Sequence, residues 1–237
     1  MDTTESAFTK SNAGSRSPAF PIVVNRVTVA GRSFVLRRPE SADALLNLIT
    51  EEDFQRDDRL PYWADIWPSS QVLADRVAAM SGHGRRLLEL GCGIGLVALA
   101  AAGAGFSVLA TDYYAEALEF AAENARLNGL SGIGTRLIDW RNLPSDLGRF
   151  DLVLASDVLY ERPNAALVAA ALAHSLSDDG VALITDPGRK PAAQFPEVCA
   201  EQGLEVNEID AVPVTEAVAP VTVHVYEVRR IARPANG

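Results

Sequence analysis

Cysteine and histidine are scarce in this sequence, with two cysteines and three histidines among 237 residues. Cys92 and Cys199 lie far apart, and neither a Cys-x-x-Cys pair nor the mixed Cys/His spacing that binds zinc is present. This scarcity argues against a disulfide-stabilised secreted domain and against a structural metal site. We therefore expect reduced thiols, no bound metal and a cytoplasmic protein.

Long apolar runs and clusters of basic residues are also missing. No stretch of 18 uncharged apolar residues occurs, and the first residues lack the basic-then-apolar pattern of a signal peptide, so we expect no membrane association. The formal net charge is -10, and the densest basic spots are pairs such as Arg85-Arg86. A nucleic-acid partner requires clustered cations and is not expected. An acidic surface instead favours cationic partners, including lysine-bearing proteins.

The chain divides into three parts by composition. Its 237 residues, 48% of them hydrophobic, suffice for one α/β domain with a small addition, and we expect a monomer. Residues 1–19 are small and polar without periodicity, which predicts a disordered leader. Residues 20–59 contain two β-rich runs around Gly31 and then a helical pattern over 41–56, so they predict a hairpin and helix extension. Residues 60–237 form the main domain.

Strand and helix patterns alternate regularly through the main domain. The strands are nearly continuous apolar runs, as in a parallel sheet covered by helices on both faces. A last pair of β-rich segments, 204–209 and 221–230, predicts an antiparallel hairpin. The sequence thus predicts an α/β fold with a seven-stranded, mostly parallel sheet whose last strand is antiparallel. The other strands are predicted at 86–90, 107–111, 134–138, 150–155 and 180–185, and the helices at about 69–80, 94–103, 114–128 and 163–176.

A glycine-rich turn joins the first predicted strand of this domain to its helix. The turn reads Gly91-Cys92-Gly93-Ile94-Gly95, and its glycines allow backbone angles and close approaches that a Cβ would prevent. Its spacing is G-x-G-x-G, whereas a dinucleotide pyrophosphate is held by G-x-G-x-x-G. Glu89 precedes the turn by two residues. A carboxylate there would repel a pyrophosphate but suits a ligand that carries an amino group and a sulfonium.

Polar residues also follow the next two strands. Asp112 ends the second strand, 21 residues after Gly91, where a carboxylate binds vicinal ribose hydroxyls. Asp139 and Trp140 follow the third strand, where a polar group and a ring could flank a base. Because these strands are predicted to be parallel, the residues share one edge of the sheet. Together they predict a cofactor site, and Cys92 is interpreted as a small residue beside the cofactor.

The run LLELGCGIGLVALAAAGAGFSVLATD resembles motif I and the following acidic strand of class I S-adenosylmethionine methyltransferases. Ser156-Asp157-Val158-Leu159-Tyr160 matches the D-x-x-Y pattern of the methyltransferase-16, or METTL21-like, family of lysine methyltransferases. The stretch PYWADIWP is similar to the electron-transfer-flavoprotein β-subunit lysine methyltransferases and their bacterial relatives. The resemblance spans roughly residues 60 to 230. It implies a Rossmann-like methyltransferase fold, S-adenosyl-L-methionine as the cofactor, and methylation of a protein lysine side chain.

The resemblance also implies roles for individual residues. Asp157 and Tyr160 would lie at the mouth of the substrate site and act in catalysis, with Asp157 orienting the acceptor amine. By the resemblance, the cofactor would be contacted by Trp67, by the turn residues Gly91, Cys92 and Gly93, by Asp112 at the ribose, by Trp140 near the adenine, and by Ser156. Glu89 and Asp139 join the predicted cofactor site through their positions at strand ends. No N/D-P-P-Y/F/W motif follows the fourth strand, which disfavours methylation of adenine or glutamine.

The residues of these motifs are also compatible with other functions. Motif I and D-x-x-Y do not distinguish a protein lysine from a small-molecule amine such as a nicotinamide-like metabolite. A non-catalytic S-adenosylmethionine-binding protein would carry the same glycine turn. A nucleotide-binding oxidoreductase is the alternative from another class, although the G-x-G-x-G spacing disfavours it.

Overall fold

The N-terminal part of the chain is a hairpin and a short helix in the computed structural model, which describes residues 20–46, 62–215 and 219–232. Strands β1 (Ile22–Val29) and β2 (Arg32–Pro39) pair antiparallel, as predicted. The turn residues Ala30 and Gly31 have φ of 47° and 79°, which matches the primed turns of two-residue hairpins. Helix α1 (Ala42–Leu46) begins the helix predicted over 41–56. The rest of that prediction, like the leader 1–19 and the domain boundary near 59, lies outside the described residues.

The main sheet has seven strands in the described part of the chain. Its spatial order is β5-β4-β3-β6-β7-β9-β8, and β9 pairs antiparallel with both neighbours while the other pairs are parallel. The predicted fold class is therefore confirmed, including the antiparallel last strand. The strands are β3 (Arg86–Leu90), β4 (Ser107–Asp112), β5 (Ile133–Leu137), β6 (Phe150–Ser156), β7 (Leu176–Asp186), β8 (Leu204–Val214) and β9 (Val221–Arg230).

Helices follow the strands near their predicted positions. Among the described residues, the short α-helix over 195–201 was missed, because its few apolar residues carry no periodic signal, and so were two 3-10 turns. No helix of the described ranges is long and apolar enough to cross a bilayer. The helices are α2 (Pro68–Ala78), α3 (Leu96–Gly103), α4 (Ala115–Leu127), α5 (Arg162–Ser175) and α6 (Phe195–Glu201), with 3-10 turns at Tyr62–Ala64 and Lys190–Gln194.

The sheet is covered on both faces, so its side chains alternate between two apolar cores. Leu87 and Leu152 lie in the core that includes residues of the hairpin and of α2, α3 and α4. Their neighbours Leu88 and Val153 lie in the second core, with α5 and α6. This double coverage explains why the central strands are continuous apolar runs.

The strand order reverses beside β3. The chain runs outward from β3 to β4 and β5, and β6 then returns to the other side of β3. A crevice forms at such a point, above the carboxyl ends of the strands, and ligands of open α/β sheets bind there. The predicted site residues 89–93, 112 and 156–157 all belong to these strand ends.

Asn124 of α4 and Asn128, the C-cap of the same helix, join the hairpin to the main domain. The Asn128 side chain accepts from Val35 N–H at 2.9 Å and donates to the Val35 carbonyl at 2.7 Å. Asn124 does the same for Arg37, at 2.7 and 2.9 Å. Both side chains thus pair with the outer edge of β2 as a neighbouring strand would. Asn124 Nδ2 also donates to the carbonyl of Ile94 at 2.9 Å, which ties the hairpin to the glycine turn.

Candidate active site

The glycine turn connects β3 to α3 in a conformation that requires glycine. Gly91, Gly93 and Gly95 have φ of 69°, 50° and 90°, in the left-handed region that a Cβ disfavours. A Cβ on Gly93 would also lie 2.8 Å from the carbonyl oxygen of Trp63. The turn is therefore held against the backbone ahead of α2, and side chains are excluded from this contact.

Asp112 ties the glycine turn to the end of β4. Its Oδ2 accepts from Gly93 N–H at 2.9 Å, and its Oδ1 accepts from Tyr114 N–H at 3.0 Å. The carboxylate is buried and lines the cavity above the turn. Asp112 thus shapes the floor of the site as well as presenting its oxygens to it.

Glu89 places a second carboxylate under the turn. The residue is 1% exposed, and its Oε2 has no hydrogen-bond partner among the described residues. Burial, and next the nearby charge of Asp112, raise the pKa of Glu89 well above its ordinary value, while a hydrogen bond from the Ala98 backbone opposes the shift. An unpaired buried carboxylate is costly, so this position favours a cationic or hydrogen-bond-donating ligand group.

The predicted site residues converge on one cavity at the switch point of the sheet. Ten of the eleven line it together, and only one of them comes from outside the strand ends and their following loops. That residue is Trp67, the N-cap of α2. The ten are Trp67, Glu89, Gly91, Cys92, Gly93, Asp112, Trp140, Ser156, Asp157 and Tyr160.

Asp139 is the candidate that the structure does not place in the cavity lining. Its carboxylate faces Arg141 instead, with the Arg141 Nη2 at 2.7 Å and Nε at 2.9 Å. The neighbouring Trp140 does line the cavity, and a Cβ on Gly91 would lie 3.5 Å from its ring. The cofactor role assigned to Asp139 therefore remains a prediction, whereas its pairing with Arg141 is what the structure shows.

Asp157 lies at the carboxyl end of β6 in a left-handed conformation, with φ of 55°. Few residues besides glycine adopt it, and aspartate is among them. Its side chain is 5% exposed, and its Oδ1 accepts from Arg189 Nε at 2.5 Å. Its Oδ2 is buried without a hydrogen-bond partner among the described residues. One oxygen of the carboxylate is thus fixed, and the other is available to a ligand.

Aromatic side chains form one wall of the cavity. The ring of Tyr62 meets those of Trp67 and Tyr160 edge-on, with centroid separations of 6.0 and 5.7 Å. Trp67 Nε1 donates to the Tyr62 carbonyl at 2.9 Å, which fixes the indole. Trp63 also lines the cavity, and it packs on Phe120 of α4 with centroids 5.6 Å apart.

Tyr62 and Arg189 are site residues that the sequence reasoning missed. Arg189 follows Asp186 at the end of β7, on the same edge of the sheet as the other strand ends. Applying the strand-end rule to this strand as well would have identified the segment. Tyr62 lies in the PYWADIWP stretch that carries part of the family resemblance, but its approach to Tyr160 depends on how the segment before α2 folds over the sheet.

Comparison with known proteins identifies the family. The methyltransferase-16 family model, described as lysine methyltransferase, matches residues 55–194. The electron transfer flavoprotein beta subunit lysine methyltransferase of Xenopus laevis is 32% identical over 182 residues, which cover 70% of this chain and 73% of that protein. The mouse protein of the same name is 34% identical over 54% of this chain, and there the match spans about half, 51%, of the relative's length.

A second named relative and two solved structures extend the likeness. EEF1A lysine methyltransferase 3 of Mus musculus is 32% identical over 52% of this chain and 54% of that protein. TYW2 of P. horikoshii shares the fold at 17% identity, with a TM-score of 0.57 over 88% of this chain and 72% of that one. A ribosomal protein L11 methylase from Lactobacillus delbrueckii shares it at 25% identity, with a TM-score of 0.52 over 69% of this chain and 79% of that one. The chain therefore belongs to the lysine methyltransferase family, whose enzymes depend on S-adenosylmethionine, as its motifs predict.

Proposed function

We propose that this chain binds S-adenosylmethionine at the glycine turn and methylates a lysine side chain of a protein, with Asp157 as the residue that receives the acceptor amine. The observation that carries the proposal is the buried, unpartnered Oδ2 of Asp157, in the lining of the cavity that also contains the glycine turn. The acidic chain, with a net charge of -10, favours a lysine-bearing partner.

The residues present fit this cofactor. Glu89 Oε2 is a buried acceptor without a partner among the described residues, and it suits the amino group of the methionine part. Gly91 and Gly93 line the cavity above the turn with backbone alone. Asp112 and the ring of Trp140 line the same cavity and suit the ribose and the adenine. When bound, S-adenosylmethionine supplies a methyl group that its sulfonium has already activated.

Asp157 would orient the acceptor amine. A lysine amine, of pKa about 10.4 in water, must lose its proton before it can attack a methyl group. A carboxylate is poorly matched to remove that proton as a strong base, because its ordinary pKa is far lower. Its Oδ2 can instead accept a hydrogen bond from the amine and hold it in line for attack.

The aromatic wall would exclude water and shape the entrance for a long, apolar lysine stem. The Tyr62 ring contacts the rings of Trp67 and Tyr160 edge-on, and all three residues line the cavity together with Asp157. Aromatic faces also attract ammonium groups. This surface suits an amine on a flexible alkyl chain.

The names of the relatives suggest which protein to test first. The Xenopus laevis relative, which this chain matches over 70% of its length, is named for the electron transfer flavoprotein beta subunit. We propose this subunit as the first candidate acceptor. We also propose that the enzyme acts as a cytoplasmic monomer, in keeping with its two buried free cysteines among the described residues.

Transfer of a labelled methyl group tests the proposal. The wild-type chain is incubated with labelled S-adenosylmethionine and either a lysate or purified electron transfer flavoprotein beta subunit, and protein and small-molecule fractions are counted. We expect labelled protein, with Asp157→Asn lowering the rate by about a hundredfold through loss of amine positioning. Asp178→Asn, at an exposed position far from the cavity, serves as the matched control.

Each other outcome identifies a different function. Label confined to the small-molecule fraction would show a metabolite amine as the acceptor and refute the protein acceptor. Calorimetry with S-adenosylhomocysteine that shows binding, without transfer to either fraction, would show a non-catalytic binding protein. Binding of NADH alone would refute the cofactor.

A further inference from the structure

The loop after β7 holds an arginine beside the proposed acceptor site. Asp186, fully buried at the end of β7, accepts from Gly188 N–H at 2.8 Å and from Arg189 N–H at 2.7 Å, both through Oδ1. Gly188 has φ of 79°, which lets the chain turn sharply at this point. The backbone of Arg189 is therefore fixed relative to the sheet.

The Arg189 side chain is held from two further sides. Its Nε donates to Asp157 Oδ1 at 2.5 Å, and its guanidinium carbon lies 5.7 Å from the centre of the Trp67 ring. Burial disfavours the charged guanidinium, but the hydrogen bond and charge of Asp157, together with the charges of Asp186 and Tyr62, outweigh it and raise the pKa of Arg189 above its ordinary value. Arg189 is thus a fixed and permanent cation.

The contact with Arg189 makes the two carboxylate oxygens of Asp157 different from each other. Oδ1 is occupied by Arg189, whereas Oδ2 is buried without a partner among the described residues. Asp157 and Trp67 line both the cofactor cavity and a neighbouring surface groove, and Arg189 lines the groove. An amine that binds Oδ2 would therefore share one carboxylate with the guanidinium.

We propose that Arg189 is a positioning residue that presents only Oδ2 of Asp157 to the acceptor amine and, by its charge, favours the neutral form of that amine. The inference rests on the proposed function, since it requires an amine at Asp157. Without Arg189, a lone buried carboxylate would bind the protonated amine as a salt bridge and hold it in its unreactive form.

The expected size of the effect follows from distance. Two cations that share one carboxylate stand about 4–6 Å apart, and a neighbouring charge at that range shifts a pKa by about 1–3 units when it is buried. Arg189 is 34% exposed, so solvent screening places the shift at the low end, about one unit. Near neutral pH, one unit changes the neutral fraction of a lysine about tenfold.

Other charged or titratable groups also face this pair, and they set the baseline of any pH profile. All of them are present in every variant, and Arg189→Lys keeps the charge that acts on Asp186, so a difference between Arg189→Gln and Arg189→Lys reports that charge. These groups lie on β2, before α2, on the segments flanking the cavity and on β9: Arg38, Asp65, Tyr62, Tyr160, Glu161, Asp186 and His224.

The test compares pH–rate profiles for methyl transfer to lysate proteins between pH 6.5 and 9.5. We expect Arg189→Gln to move the rising limb of kcat to higher pH by about one unit and to lower kcat at pH 7.5 about tenfold. Arg189→Lys keeps the charge, so its limb should stay near that of the wild type even if its rate falls. Arg136→Gln, which removes a half-buried arginine paired with Asp146, is the matched control.

Binding of S-adenosylhomocysteine, measured by calorimetry, checks that each variant is folded and loaded. Wild-type transfer together with an unshifted Arg189→Gln profile would refute the role of Arg189 while leaving the proposed function intact. If the rising limb of the pH–rate profile shifts as far in Arg189→Lys as in Arg189→Gln, the charge effect is refuted. If the wild-type chain labels no protein, the proposed function fails, and this inference fails with it.

Discussion

Replacing Asn124 by alanine is expected to weaken both the fold and cofactor binding, because this side chain joins three parts of the chain. Its amide pairs with both backbone groups of Arg37 on β2 and donates to the carbonyl of Ile94 in the glycine turn. The residue is fully buried. Alanine would therefore remove three hydrogen bonds and leave their backbone partners unpaired.

The magnitude follows from these three bonds. A typical intramolecular hydrogen bond contributes about 1 kcal/mol net, and a buried partner left unpaired costs somewhat more. We expect Asn124→Ala to lower the free energy of unfolding by about 3 kcal/mol. For a domain of this size, that corresponds to a fall in Tm of about 6–12 °C.

Asn128→Ala provides the matched control, one helical turn away. Asn128 also makes three side-chain bonds, to both backbone groups of Val35 and to the carbonyl of Asn124, but none to the glycine turn. It is partly exposed, so we expect a smaller loss of about 2 kcal/mol. Both variants release the hairpin, and only Asn124→Ala also releases Ile94.

Thermal unfolding and calorimetry with S-adenosylhomocysteine separate the two effects. We expect both variants to melt earlier, and Asn124→Ala alone to bind the ligand about tenfold more weakly at a temperature where it is folded. Equal affinities for the two variants would refute the link between Asn124 and the turn. An unchanged Tm for both would refute the pairing of these amides with β2.

Three further predictions concern the floor of the cavity and the thiols. Glu89→Gln should weaken S-adenosylhomocysteine binding in calorimetry yet raise the Tm of the ligand-free chain. Because the pKa of Glu89 is raised, its neutral form contributes stability that is fully present below the ordinary glutamate pKa and is lost as the pH rises through the raised pKa. The gain from glutamine should therefore grow as the pH rises above the ordinary pKa and be complete above the raised one, and a gain that persists at pH 4 would contradict this reasoning. Gly93→Ala should reduce the affinity for S-adenosylhomocysteine more than tenfold, since its Cβ would lie 2.8 Å from a carbonyl oxygen. Gly129 is the control: it has a similar φ, 66°, and nothing lies near the position of its Cβ, so Gly129→Ala should lower the free energy of unfolding by only about 1 kcal/mol. Burial raises the pKa of Cys199 to about 12 and that of Cys92 well above its ordinary value, so both thiols should resist a thiol reagent until the chain unfolds.

The sequence alone was sufficient for the sheet and for the floor of the site. Apolar runs in the central strands indicate that helices cover both faces of the sheet. This local pattern predicted the bounds of β3, β4 and β6 to within about one residue. The glycines of the turn are needed for backbone angles that are set locally, so their spacing was informative. Parallel strands place their carboxyl ends at one edge, which brought Glu89 and Asp112 into one predicted site, and the family resemblance added Asp157 to it.

The first and last residues of strands were predicted less well where hydrogen bonds to a neighbouring strand determine them. β7 begins at Leu176, four residues before its predicted start, and β8 extends to Val214, five residues past its predicted end. The extension of β7 begins where Leu176 pairs with Phe150 of β6, and the extension of β8 pairs with β9. Hydrogen bonds to a neighbouring strand determine where a strand begins and ends, and the residues of one strand do not reveal which strand will pair with it.

Only the tertiary structure decided which side chains pair within the site. Asp139 follows a strand end as Asp112 does, yet Arg141 binds its carboxylate and it does not line the cavity. Asp157 and Arg189 are 32 residues apart and meet because β6 and β7 are neighbours. Sequence periodicity records which face of an element is buried, whereas the partner of a buried charge depends on loop conformations and on contacts between distant segments.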